Sequence, residues 1–470
     1  MKTRMIVISV LVMVMAGEGL ADWPQWRGPK RDGTSAETGL LKEWPSDGPP
    51  LAWKAEKLGG GYGAPAVVGG RIFGMSNRRG QEAVWALSEK DGKELWVTGL
   101  GRVATGGMQQ GSEGPGCTPT VDGELLYVVG ASGTVACLRT EDGKVVWQRS
   151  LTRDLGGSAP RYRYNESPLV DGEKVICTPG GEDAAMVALD KRTGKTLWKT
   201  KVPAALARGP GGGPGRGSGA PGRRPGGPGR RPGGSDRRGG GPGRGPGGGD
   251  SHGSAAAYAS AIAIDVAGQR QYVQSAANAL IGVSASDGKL LWRYDRVANH
   301  RCISCATPLF HDGKVFATSA YGAGGGLVKL RADTDGGMKT EEVYFTSKMQ
   351  NHHGGMILFD GCLYGASGGN EGGALACLDF RTGKVLWDRR DSGQRRGKGS
   401  LALADGRLYY RMESGTMVLI EPNAKQLVER GRFEQPDRSR RRAWAHPVIA
   451  NGKLYLRDQD VLLCYDVKAK

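Results

Sequence analysis

Two short phrases, NHRCISC (299–305) and NHHGG (351–355), gather the side chains that a transition metal wants as ligands. Between them they offer His300, Cys302, Cys305, His352 and His353, imidazoles and thiols suited to zinc or another borderline ion. C-x-x-C is a metal-knuckle spacing. The same spacing suits a Cys302–Cys305 disulfide or two packed thiols, and those readings are preferred to a metal. Covalent haem is disfavoured, because Ala306 stands where C-x-x-C-H requires histidine. For metal chemistry, the fold must hold the two phrases side by side.

The elements that would do so are written in repeats. One phrase ends in tryptophan: VWALSEKDGKELW (84–96), VACLRTEDGKVVW (135–147), MVALDKRTGKTLW (186–198), LIGVSASDGKLLW (280–292) and LACLDFRTGKVLW (375–387). Worn copies lie at 327–345, 416–428 and 461–467. A second phrase alternates with it, a short strand, a two-residue turn and another strand. It reads PAVVGGRIFG, PTVDGELLYV, PLVDGEKVIC, AIAIDVAGQRQYV, PLFHDGKVFA, MILFDGCLYG, LALADGRLYY and PVIANGKLYL, eight copies in all. DG or NG between alternating apolar residues is a strong hairpin signal. Two hairpins in each unit of about 50 residues make one propeller blade.

The expected fold is therefore all-β, an eight-bladed β-propeller over residues 49–470. PPLAWK (49–54) reads as a fourth strand without its third, so it should complete the last blade and leave no open edge. Residues 22–48 begin DWPQWRGP, too aromatic for a loose tail, and are expected to pack on the propeller. Trp96, Trp147, Trp198, Trp292 and Trp387 should wedge between blades. The residue ten before each is small: Ala86, Cys137, Ala188, Gly282 and Cys377, with Cys464 in the last copy. Cys137, Cys377 and Cys464 are thus read as packed thiols.

Composition narrows the setting. Lys and Arg number 65 against 47 Asp and Glu, a formal charge of +18. Residues 1–21 have Lys2 and Arg4, a short apolar run and small residues up to Ala21, the pattern of a secretory signal peptide. No later stretch has the length and apolarity of a membrane-spanning helix, so a periplasmic or secreted protein is expected. Residues 204–254 are a Gly/Pro/Arg-rich insertion with nine Arg against Asp236 and Asp250, expected to be a disordered spacer. It lacks aromatic residues to stack on bases, so no nucleic-acid partner is expected, and an anionic envelope component suits its charge better.

In a propeller the innermost strand of every blade lines the axis, and the residues just before it converge at one mouth of the channel. Those approaches supply the candidate ligand-binding residues Tyr62, Asn165, Glu166, Arg301, His352, His353, Lys398 and His446. A water-filled mouth accounts for polar groups there without any ligand. The same approaches carry RRDSGQRRGK (389–398), DRSRRR (437–442), Arg161 and Arg163, so one face is expected to be basic.

The A-x-D-x-x-T-G-K-x-x-W phrase resembles the tryptophan-docking motif of quinoprotein alcohol dehydrogenases and of their non-catalytic relatives, the PQQ-like repeat propellers, BamB-type outer-membrane assembly proteins among them. The resemblance spans residues 50–470 apart from the insertion. It implies fold far more specifically than activity. The dehydrogenase branch requires pyrroloquinoline quinone (PQQ), a calcium ion with carboxylate and amide ligands, and a carboxylate base. On that reading Asn165 and Glu166 would supply calcium ligands, and Lys398 or Arg301 would meet the quinone's carboxylates. No two cysteines are adjacent for the vicinal disulfide many of these enzymes carry, no second carboxylate stands in the aligned ring, and no haem domain follows. The expectation is an exported binding or scaffold propeller of the envelope. Its basic channel face would take an anionic ligand or protein partner, with no catalytic residue assigned. The alternative is a PQQ- and calcium-dependent dehydrogenase. The chain departs from BamB-type proteins in having no cysteine beside the cleavage site for a lipid anchor.

Overall fold

Where the sequence reads Ala450-Asn451-Gly452-Lys453, Ala450 pairs with Lys453, and Asn451 and Gly452 both take positive φ (54° and 72°). That is the backbone of a tight hairpin turn whose twist matches its strands. In the computed structural model, which describes residues 21–103, 113–202, 256–333, 337–369, 372–389 and 397–469, all eight hairpin phrases form antiparallel pairs closed by a two-residue turn. The signal-peptide reading, Ala21 apart, and the insertion at 204–254 fall outside the described residues.

The strands assemble into eight four-stranded sheets. In chain order the innermost strands are Ala66–Val68, Thr120–Asp122, Leu169–Asp171, Ile262–Val266, Leu309–His311, Met356–Phe359, Gly399–Ala404 and Val448–Ala450, and they number the blades one to eight. Leu51–Ala55 pairs antiparallel with Val461–Asp466 as the outer strand of blade eight, so the ring closes without a free edge. The architecture is an all-β, eight-bladed propeller. Among the described residues no helix is long and apolar enough to cross a membrane.

The register explains the small residue ten before each tryptophan. Ala86 lies opposite Trp96, Cys137 opposite Trp147, Ala188 opposite Trp198, Gly282 opposite Trp292, Cys377 opposite Trp387 and Cys464 opposite Trp53. The indole lies across its partner: a Cβ added at Gly282 would sit 2.1 Å from Trp292. Each indole also reaches the next blade. The N–H groups of Trp53, Trp96, Trp147, Trp198 and Trp387 donate to the carbonyls of Glu89, Thr140, Lys191, Ala285 and Asn423 at 2.8–3.2 Å. The turn glycine of that next blade abuts the ring. Gly288, at φ 77°, would place a Cβ 2.5 Å from Trp198. The T-G-K turn and the tryptophan are thus halves of one contact between neighbouring blades.

Three blades vary the device. Trp292 packs with Val315, Ala317 and Val328 of blade five, but its N–H donates to Gln271 of its own blade at 2.7 Å. In the worn fifth repeat Tyr344 takes the tryptophan's place, its hydroxyl donating to the Phe380 carbonyl at 2.9 Å. Blade seven has Gly431 in that strand, and Trp44 of the N-terminal segment fills the gap against Tyr409 and Phe433.

The N-terminal segment also occupies the channel. Trp23 bridges to Val67 of blade one, and the Pro24 carbonyl accepts from Val121 of blade two. Arg31 donates to the Ser167 and Pro168 carbonyls beside blade three, and the Trp26 N–H to the Thr307 hydroxyl beside blade five. Arg27 donates to the Met356 carbonyl of blade six, the Ser35 N–H donates to the Leu403 carbonyl of blade seven while the Leu403 N–H donates to Gly33, and the Ser35 hydroxyl donates to the Ile449 carbonyl of blade eight. Seven of the eight blades therefore hold this segment, six of them through backbone groups in or beside their innermost strands and blade five through the Thr307 hydroxyl.

Candidate functional site

Because residues 22–35 fill the channel, its wide mouth is a closed-bottomed bowl of about 340 Å³. Trp26 forms part of its floor. Tyr62, Gly116, Asn165, Ser260, Cys305, His353 and Trp444, from the approaches of blades one to six and eight, line its wall together with His352, Ile303 and Arg442. Three tyrosines complete it: Tyr162 and Tyr258 from the approaches to blades three and four, and Tyr321 from the loop between the second and third strands of blade five.

The approach loops are braced by asparagine. Asn299 donates its side-chain amide to the Ile303 carbonyl at 2.6 Å, and Asn351 to the Gly355 and Ala366 carbonyls at 3.0 Å each. The Asn-His pairs of the two phrases are thus half structural. His352 turns inward and is buried, whereas His300 is exposed. Cys302 and Cys305 stand unjoined: the Cys302 thiol donates to Asn278 at 2.9 Å, and Cys305 faces the bowl.

Five imidazole and indole rings pack together at the bowl. His352 and His353 lie with ring centroids 3.8 Å apart, His353 stacks on Trp444 at 4.4 Å, and His446 tilts against Trp26 at 4.6 Å. His446 does not line the bowl; its Nε2 bonds the His353 carbonyl at 2.8 Å and its Nδ1 is buried without a partner. Burial pushes His352 and His446 down to about 3, aided by Lys398 beside His352 and by Arg27 beside His446. Burial also holds His353 well below the usual imidazole range, so the three rings are neutral at pH 7.

Charge is less one-sided than the sequence suggests. Lys398 lies behind the wall, 3.3 Å from His352 Nδ1 and 3.2 Å from Glu413, and burial lowers its pKa. Arg442 pairs with the same Glu413 at 3.2 Å, Arg441 with Glu113 at 2.7 Å, and Arg438 with the buried Asp458. Glu113 also accepts from the Tyr62 hydroxyl, and burial with that neighbour raises the phenol above its ordinary range. Arg301 lies 5.5 Å from the Tyr321 ring and Arg161 6.0 Å from the Tyr162 ring, two cation–π contacts at the rim.

Asn165 and Glu166 part company. Successive side chains of an extended segment face opposite ways. Asn165 lines the bowl, donating to the Tyr162 and Arg163 carbonyls, while Glu166 turns into the body of the protein. There its carboxylate accepts from the Thr178 N–H at 2.7 Å, and burial pushes its pKa up to about 7 against the pull of Thr178 and Arg31.

These residues do not fit a calcium–quinone pair. Among the described lining residues there is no carboxylate to bind calcium or act as base, Glu166 is spent on Thr178, and Lys398 on Glu413.

Residues 80–212, 250–337 and 371–468 match a family model described as outer membrane protein assembly factor BamB. The BamB of Yersinia pestis is 26% identical over 156 residues, 32% of this chain and 36% of that protein. That of Alteromonas naphthalenivorans is 30% identical over 95 residues, 18% of this chain and 23% of that protein. In these matches the chain spans about a third of the first relative and under a quarter of the second. The crystal structure of BamB from Moraxella catarrhalis superposes with a TM-score of 0.54 at 14% identity, covering 87% of this chain and 95% of that one. The quinohemoprotein alcohol dehydrogenase of Comamonas testosteroni gives 0.58 at 12%, covering 96% and 81%. At such identities the two structures speak for fold alone. The family match spans well over half of the sequence in all three stretches, and the chain belongs to the PQQ-like repeat family described as outer membrane protein assembly factor BamB.

Proposed function

We propose that this chain is a non-catalytic binding propeller of the cell envelope that receives a protein partner at the mouth of its bowl. The observation that carries the reading is the composition of that mouth: six aromatic side chains, Trp26, Tyr62, Tyr162, Tyr258, Tyr321 and Trp444, with Arg161, Arg301 and Arg442 at the rim. Tyrosine, tryptophan and arginine are the residues on which binding energy concentrates, because they bury large area at small entropic cost and still offer a polar end. The floor of Trp26 lets a partner's side chain enter but not pass. The arginines suit an acidic group beside that side chain. Membership of a family described as an outer-membrane assembly factor agrees with a scaffolding role in the envelope, as does the signal-peptide pattern.

Site-specific photo-crosslinking in cells tests it. A photo-reactive residue at Arg161, Arg301 or Arg440 should trap a discrete partner band. The same residue at Glu124 or Glu173, in hairpin turns at the opposite face, should trap none. Crosslinks from the turns alone would reverse the assignment of the face.

A further inference from the structure

Cys305, His352 and His353 come from two adjacent blades, yet one ligand atom of each lies within 4.8 Å of the other two. Ligands around a tetrahedral metal with bonds of about 2.0–2.3 Å stand roughly 3.3–3.8 Å apart, so closing this set needs side-chain rotation of about 1 Å. The backbone is already in place, because Asn299 and Asn351 pin the two loops. All three residues line the bowl, which leaves a fourth position open towards it.

We propose that Cys305, His352 and His353 bind copper(I) in the wall of the bowl. The donor set, one thiolate and two imidazoles, is soft enough for copper(I) and too poor in oxygen for magnesium, calcium or manganese. Charge decides between copper(I) and zinc. Lys398 and Arg442 flank the site and share one carboxylate, Glu413, so the surroundings keep a net positive charge. A copper(I) thiolate is neutral, whereas a zinc thiolate adds a further positive charge beside two cations. On binding, the Cys305 S–H bond gives way to an S–Cu bond and the proton leaves to solvent; no electron is transferred. Outer-shell partners are present. With Nδ1 as the ligand, His352 keeps the Tyr321 hydroxyl, now 3.0 Å away, as acceptor of its Nε2–H and gives up Lys398, now 3.3 Å from Nδ1. Lys398 retains Glu413 and the Gly369 carbonyl. The inference stands on these three residues and does not depend on the partner reading above.

The test is anaerobic titration of the full-length, reduced protein with copper(I) buffered by bicinchoninate. One equivalent should be retained after desalting, and X-ray absorption should give one sulfur and two nitrogens in the first shell. Cys305→Ser and His353→Gln should each weaken retention at least tenfold, with melting temperatures of the metal-free variants close to wild type. Cys302→Ser, three residues away in the same phrase, should retain copper fully. Three results would overturn the proposal: no retention by the wild type, undiminished retention by Cys305→Ser, or displacement of copper by equimolar zinc.

Discussion

Replacing Trp198 by alanine is expected to cost about 3–5 kcal/mol of stability, the range for removing a large buried aromatic. The side chain is 8% exposed, stacks on Tyr272 of the next blade at 6.1 Å and donates to Ala285 at 3.2 Å. Gly288 leaves no side chain that could swing into the gap, so the cavity would lie open between blades three and four. In a protein of this size that corresponds to a fall in melting temperature of about 3–5 °C. Trp387 makes the same hydrogen bond from a more exposed position and should cost less. Thermal and urea unfolding of both variants would check the order. A loss under about 1 kcal/mol for Trp198→Ala would mean that the wedge is dispensable.

The second large effect is expected at Arg31. Its guanidinium is 3% exposed and donates to Ser167, Pro168 and Gln25 at 2.7–3.0 Å while standing near the buried Glu166. Removing the guanidinium leaves the buried Ser167 carbonyl without this donor and takes the nearby positive charge away from Glu166, and stranding a buried acceptor typically costs about 1–3 kcal/mol. Arg31→Ala should therefore destabilise by that amount and loosen residues 22–35 from the channel, which limited proteolysis would report as early cleavage of the segment. Arg31→Lys keeps the charge but loses the planar fork, and should fall between wild type and alanine. Equal protease resistance in all three proteins would show that the segment is held by Trp23 and Ser35 without the arginine.

Why some of this was legible in sequence follows from the contacts themselves. The wedge needs the same tryptophan, small partner and turn glycine at every blade boundary, so it repeats and can be aligned; even Trp53, far from its sheet partners in sequence, could be placed. The approach ring was legible for the same reason, and Tyr62, Asn165, His352 and His353 do meet at one bowl. Contacts made once leave no such trace. The channel segment is held largely through backbone groups of six blades, which any sequence could offer, so a docked extension was expected but not its course. Glu113 and Arg441 lie 2.7 Å apart although distant in sequence, and without such pairs the arginine runs read as an uncompensated basic face. Tyr321 was missed because it reaches the bowl from a loop that carries no repeat phrase. Glu166 was misjudged by one residue of side-chain alternation.

That the chain has the propeller of the quinoprotein enzymes without their site is the claim on which the functional reading turns. Isothermal titration of the purified protein with PQQ in millimolar calcium tests it most directly. The bowl described here, walled by neutral imidazoles and phenols, should give no saturable heat and no rise in melting temperature. A stoichiometric, calcium-dependent isotherm that Asn165→Ala abolishes would contradict the account.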